Sequence, residues 1–274
     1  MSPTLSMPGL DSLSCGSTQN LVGAPAEGGV PNIVTSCLTH LRNHGLNTLG
    51  IFRVSSSKKR VRQLREEFDC GKEMSLEEEL CPHDVATLLK EYFRDLPDPL
   101  LCKHLYHAFI QTQRIRNRRL QHEAVQHLIQ LLPLANRDTL LALLDFLALV
   151  ASKAADYKDE SGEWISGNKM DSNNLATLFA PNLLHPCPTN KSISTKEELS
   201  SERVEERSDA INVIRCLIDN HTTLFQVSAE LLDEVYLNMM DTHPEALDQL
   251  LRRRDTSADE YVTAVYNWRY LLLI

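Results

Sequence analysis

The stretch PHDVATLLKEYFRDLPDPLL, residues 82–101, decides the fold class. It opens on Pro82, whose fixed φ and missing N–H suit the first turn of a helix. Val85, Leu88, Leu89, Tyr92, Phe93 and Leu96 follow at i, i+3, i+4, i+7, i+8 and i+11, so they share one face of a helix. Pro97 and Pro99 stop it. The same reading extends outward. Upstream, a helix begins near Pro31, carries Ile33, Cys37, Leu38 and Leu41 inward and closes at Gly45. Another is capped by Ser56 or Ser57, buries Val61, Leu64 and Phe68 and ends at Gly71. Downstream, helical patterns recur at about 103–113, 120–132, 137–155, 171–180, 203–222 and 228–240. There is no alternating strand series and no internal repeat. The fold class is all-α, a multi-helix bundle with long loops.

The chain has 274 residues, 42% apolar and 24% charged, which is ordinary for a globular protein able to bury a full core. Residues 1–29 are rich in Ser, Gly and Pro without apolar periodicity and read as a disordered leader. Seven cysteines, an odd number with no CxxC pair, point to reduced thiols rather than a disulfide framework or a zinc site. TLLALLDFLALVA (139–151) is too short to span a bilayer and contains Asp145, so it reads as a buried helix. No signal peptide pattern opens the chain. The expected location is cytoplasmic, with membrane or cytoskeletal association left open. A net charge of −9 argues against nucleic acid as a partner. RIRNRR (114–119) holds four arginines without an apolar face, a weak membrane signal that reads first as a solvated loop.

No self-contained catalytic constellation emerges. GxxxxGK[ST], GxSxG and HExxH are all missing. What stands out is basic. GIFRVSSSKKRVRQLR (50–65) carries six positive charges and no negative one. Arg53 sits in a predicted loop behind an apolar anchor, Ile51 and Phe52. Lys58, Lys59, Arg60, Arg62 and Arg65 fall on the helix that follows. On the 82–96 helix, Lys90 and Arg94 share one polar edge, Glu91 and Asp95 the other. By pattern alone, Arg94 reaching back to Glu91 and an exposed Arg53 are the simplest readings.

Three blocks in order, GIFRVSSSKKRVRQLREEFD, LLKEYFRDLPDPLL and NKMDSNNLATLFAPNLL, resemble the Rho GTPase-activating protein (RhoGAP) family over roughly residues 30–225, with 226–274 forming a C-terminal helix and tail. The resemblance implies an all-α bundle of about nine helices that binds the GTP-loaded form of a Rho-, Rac- or Cdc42-type small GTPase and speeds its hydrolysis. It makes Arg53 the arginine finger. Lys90 and Arg94 would pack against the finger loop and the GTPase switch regions, and Asn174 would touch the GTPase. Pro181 and Asn182 fall in the family's GPN turn, which adds Asn182 to the residues expected at the partner. Two departures stand out. Ala180 replaces the usual glycine of that turn, a strained choice if the position needs φ > 0. The segment the family has before VPNIV is not recognisable in residues 1–29, so the domain is expected to be shortened there.

Under this resemblance the chain needs no cofactor or metal of its own, because GTP and Mg²⁺ belong to the GTPase. An arginine inserted in trans supplies a missing donor for transition-state charge, a gain of about 10³–10⁵. The five helical charges would steer an acidic switch surface. The alternative is a pseudo-GAP, the same fold acting as a GTPase-binding or scaffolding module. Arg253, Arg254 and Thr256 also have the spacing that basophilic kinases favour.

Overall fold

The computed structural model describes residues 29–70, 80–186, 196–226 and 229–248. The predicted leader up to residue 28, Gly71, the acidic loop and the tail beyond 248, with its kinase-like motif, lie outside the described residues. The helices are α1 (Asn32–His44), α2 (Lys58–Asp69), α3 (Pro82–Arg94), α4 (Tyr106–Thr112) after a 3₁₀ turn at Lys103–Leu105, α5 (Arg118–Gln130), α6 (Leu134–Ser152), α7 (Ser172–Leu183), α8 (Lys196–Leu224) and α9 (Ala229–Thr242). Every expected helix is present, displaced by a few residues at its ends. α6 begins early because extended Pro133 serves as its N-cap, and α7 runs through Pro181 instead of stopping before it. α8 is kinked at Asn220.

The apolar face read from α3 is the buried one. Val85, Leu88, Leu89 and Phe93 are fully buried, while Tyr92 and Leu96 pack partly buried at its edge. α3 meets α1, α2 and α7. α8 runs against α4, α5, α6 and α7, and α7 bridges the two groups by touching α3, α6 and α8. The core between them is filled by Leu143, Leu144 and Leu147 of α6, Leu175 and Phe179 of α7, and Val213, Ile214 and Leu217 of α8. Each such side chain contributes about 1.5–3 kcal/mol of burial. No helix among the described residues is long and apolar enough to cross a membrane.

Two local features differ from the sequence reading. Ser57 is the N-cap residue of α2, yet no serine side chain caps that helix. Its cap comes from α3, where buried Asp84 accepts the Ser57 N–H at 3.0 Å and also the Arg60 Nε. The polar stretch at 156–167 also contains a small antiparallel hairpin, β1 (Tyr157–Lys158) and β2 (Trp164–Ile165), with Tyr157 opposite Ile165 and Lys158 opposite Trp164. Two-residue strands are too short for alternation to register in the sequence.

Candidate functional site

The segment 48–54 makes a tight turn. Gly50 takes φ +65, and a Cβ there would meet Val54 Cγ2 at 2.9 Å, so the position requires glycine. Its carbonyl accepts the N–H groups of Arg53 and Val54, each at 2.9 Å. Phe52 takes φ +68, an outlier for a bulky side chain that costs about 1–3 kcal/mol. Packing holds it there. The buried ring meets Phe179 edge-on at 5.0 Å between centroids and Phe146 at 6.2 Å, and Ile51 beside it is fully buried. The Phe52 carbonyl accepts a hydrogen bond from Lys90 Nζ. With the backbone reversed at Phe52 and both apolar neighbours pulled inward, Arg53 is left outside. Its side chain is exposed and has no hydrogen-bond or ion-pair partner among the described residues.

Lys90 thus touches the turn directly. Burial lowers the pKa of its ammonium group, and the nearby charge of Arg94 adds to the effect. Arg94 points elsewhere. Its Nε lies 3.2 Å from Asp95 Oδ1 and its Nη2 3.7 Å from Glu91 Oε1, the i−3 pairing the helical pattern suggested. Asp95 also accepts Arg65 Nη1 at 2.6 Å. Burial raises the Asp95 carboxyl pKa, but the two arginines outweigh it and hold the group below the ordinary carboxylate value.

Asn174 lies in the first turn of α7, whose N-cap Asp171 accepts the Asn174 N–H at 2.7 Å. Its side-chain amide is half-buried and donates to the Lys169 carbonyl at 3.2 Å. Asn182 sits about two turns further on and faces inward. Only 9% exposed, it donates Nδ2 to the Leu178 carbonyl at 2.7 Å. Pro181 and Asn182 do not form a turn but belong to the last turn of α7, and Ala180 does not take positive φ. The alanine therefore carries none of the strain that a left-handed position would impose.

The basic helix is also less free than its charge count suggested. Arg60 pairs with Asp84, Arg62 with Glu66 at 2.8 Å and Arg65 with Asp95. Lys58 and Lys59 alone of the five have no ion-pair partner among the described residues.

The residue that organises the site is one the sequence reading did not single out. Asn168 is fully buried, and its backbone carbonyl accepts the Gly50 N–H at 2.8 Å. Its Nδ2 donates to the carbonyls of Leu46 at 2.8 Å and Val150 at 2.9 Å, and its Oδ1 accepts the Met170 N–H at 2.8 Å. One side chain thus ties the α1–α2 connection to the end of α6 and the entry of α7. Gly167 beside it runs so close to residues 154 and 155 that a Cβ would meet a carbonyl oxygen at 2.3 Å. Lys169 takes φ +65 and pairs with Asp156. The turn bearing Arg53, Lys90 of α3 and Asn174 of α7 therefore form one connected assembly. Arg94 flanks it, and Asn182 stands apart.

A model of the RhoGAP domain matches residues 31–188, more than half of the chain. The chain belongs to the RhoGAP family. Rho GTPase-activating protein 6 of Mus musculus is 51% identical over 228 residues, which cover 82% of this chain and 22% of that protein. Rho GTPase-activating protein 36 of Bos taurus is 39% identical over 238 residues, 87% of this chain and 44% of that protein. The chain thus spans less than half the length of these relatives. Among solved structures, human Rho GTPase activating protein 15 superposes with a TM-score of 0.62 at 24% identity, covering 72% of this chain and 85% of that one. The BH domain from Graf gives 0.59 at 24% identity, covering 72% of this chain and 94% of that one. These two share the all-α fold of the RhoGAP domain described here.

Proposed function

We propose that this RhoGAP domain stimulates GTP hydrolysis by a Rho-family small GTPase in its GTP state, with Arg53 inserted in trans. The observation that carries the reading is the turn at Gly50–Arg53. Strain at Phe52, a buried aromatic anchor and the Lys90 hydrogen bond all serve to present one unpartnered guanidinium to solvent. A planar fork of donors with a permanent charge suits the oxygens on which charge develops as the γ-phosphoryl group departs. The GTPase supplies nucleotide, Mg²⁺ and the attacking water, while this chain contributes the guanidinium and its scaffold. Lys90 acts on the turn rather than on the nucleotide, and Asn174 and Arg94 border the surface that receives the partner.

Single-turnover hydrolysis on GTP-loaded Rho-, Rac- and Cdc42-type GTPases tests the reading, beside equilibrium binding of the same preparations. The wild-type chain should accelerate at least one of them. Arg53→Ala should lose about 10³–10⁵ in stimulated rate, with affinity held within about tenfold. Undiminished stimulation by Arg53→Ala would remove Arg53 from the chemistry, and binding without stimulation by the wild type would establish the pseudo-GAP.

A further inference from the structure

Ten large apolar side chains stand exposed among the described residues, and five of them, Leu49, Val54, Tyr157, Trp164 and Ile165, lie on just two segments. Those segments are the turn that carries Arg53 and the β1–β2 hairpin. They are linked through Asn168, three residues beyond β2, whose carbonyl accepts the Gly50 N–H. Exposed apolar side chains gathered on two linked segments point to an interaction surface more than single exposed leucines do.

The hairpin is built to hold its shape without being covered. Asp159 Oδ1 accepts Ser161 Oγ at 2.6 Å and the Glu163 N–H at 2.9 Å, and Gly162 takes φ +85 to close the turn. At the base, Asp156 accepts the Gly167 N–H at 2.9 Å and pairs with Lys169. Both faces remain open. Tyr157 is 51% and Ile165 37% exposed on one, and Trp164 is 70% exposed on the other, with Lys158 Nζ held 5.2 Å from its ring centroid. A two-stranded ribbon is marginal by itself, so such an investment in local hydrogen bonds points to a displayed surface rather than a core element.

We propose that the β1–β2 hairpin is a second contact arm for the same GTPase, meeting it beside the nucleotide site through one of its two aromatic-bearing faces, that of Tyr157 or that of Trp164. The inference rests on the reading of Arg53 given above. An interface of ordinary size covers about 800 Å² per partner, a disc of roughly 16 Å radius. Three residues span at most about 10 Å, and the Asn168 carbonyl bonds the Gly50 N–H, so Ile165 lies within roughly 15 Å of the start of the finger turn. A GTPase of that footprint, seated over Arg53 and extending toward the α6–α7 connection, reaches the hairpin. Amphipathic aromatics anchor interfaces of this kind more than any other residues. A lipid surface fits less well, because Asp159, Glu160 and Glu163 crowd the tip and would be repelled by an anionic leaflet. The α6–α7 connection that holds the hairpin would thus help set which GTPase is accepted.

The full chain and its Tyr157→Ala/Trp164→Ala double variant are compared in single-turnover hydrolysis over a range of concentrations, with Leu131→Ala as a control at a distant exposed site. The double variant should raise the half-saturating concentration by about tenfold or more, as truncation of interface aromatics does. Its maximal rate should stay within a few-fold and its melting temperature should be unchanged. Leu131→Ala should match the wild type. That profile is the inverse of the one expected for Arg53→Ala. Unchanged half-saturation in the double variant, with wild-type stimulation intact, would overturn the arm and leave the proposed function standing. Absence of both binding and stimulation by the wild type would overturn both. Sedimentation with phosphatidylcholine vesicles, with and without phosphatidylserine, completes the test. Vesicle binding lost in the double variant while the GTPase parameters stay put would assign the hairpin to lipid instead.

Discussion

Phe52 shows how one residue can be spent on the conformation of its neighbour. Its ring is held by Phe146 and Phe179, its carbonyl by Lys90, and its positive φ turns Arg53 out of the fold. Lys90→Met keeps the apolar stem but removes the donor, leaving the Phe52 carbonyl without its hydrogen bond at a cost of about 1–3 kcal/mol. We expect that variant to reduce stimulated hydrolysis more than it reduces partner binding. A Lys90→Met protein with wild-type turnover would show that the turn holds itself without help. Arg53→Lys should fail nearly as fully as Arg53→Ala in the single-turnover assay, because an ammonium cannot span two oxygens. The residues of this site were unevenly legible. Arg53 behind Ile51 and Phe52 could be read as an exposed loop arginine on an apolar anchor, but only the family resemblance gave it a role. Asn168 could not be read at all, because hydrogen bonds to two distant segments, the α1–α2 connection and the end of α6, leave no trace in periodicity.

The helices were legible where their burial is periodic and illegible where they depend on one another. The face of α3 follows from spacing alone. The cap of α2 does not, because its acceptor lies on α3, 27 residues away. Asp84→Ala should therefore fray α2 and lower stability by about 0.5–2 kcal/mol, the range for a lost cap. Amide hydrogen exchange should rise over residues 57–61, and unchanged exchange there would refute the cap. Asp95 offers a second test at this level, since it joins α2 to α3 through Arg65. Its folded pKa is depressed, so its contribution is fully present above the ordinary value of 3.8 and is lost as pH falls through the lower folded value. The melting-temperature gap between wild type and Asp95→Asn should accordingly be widest near neutral pH and close on acidification. A gap independent of pH would mean that the pairing contributes nothing.

Across the whole molecule, the five described cysteines are unpaired and differ sharply in environment. Burial pushes the Cys37 thiol up to about 12, whereas Cys70 stands exposed. The thiolate is the reactive form, so at pH 8 the folded protein should label readily at Cys70 and at Cys37 only when the bundle opens. Peptide mapping after a timed pulse of alkylating reagent would report this, and rapid native labelling of Cys37 would contradict the packing of α1. The hydrogen bond from Gly50 to Asn168 has a related consequence for timing. A turn anchored to the rest of the bundle completes its conformational search once, during folding, rather than at each meeting with a partner. Under the proposed role of Arg53, the entropy of ordering its backbone is thereby removed from the encounter, and only the exposed side chain is left to settle on the partner.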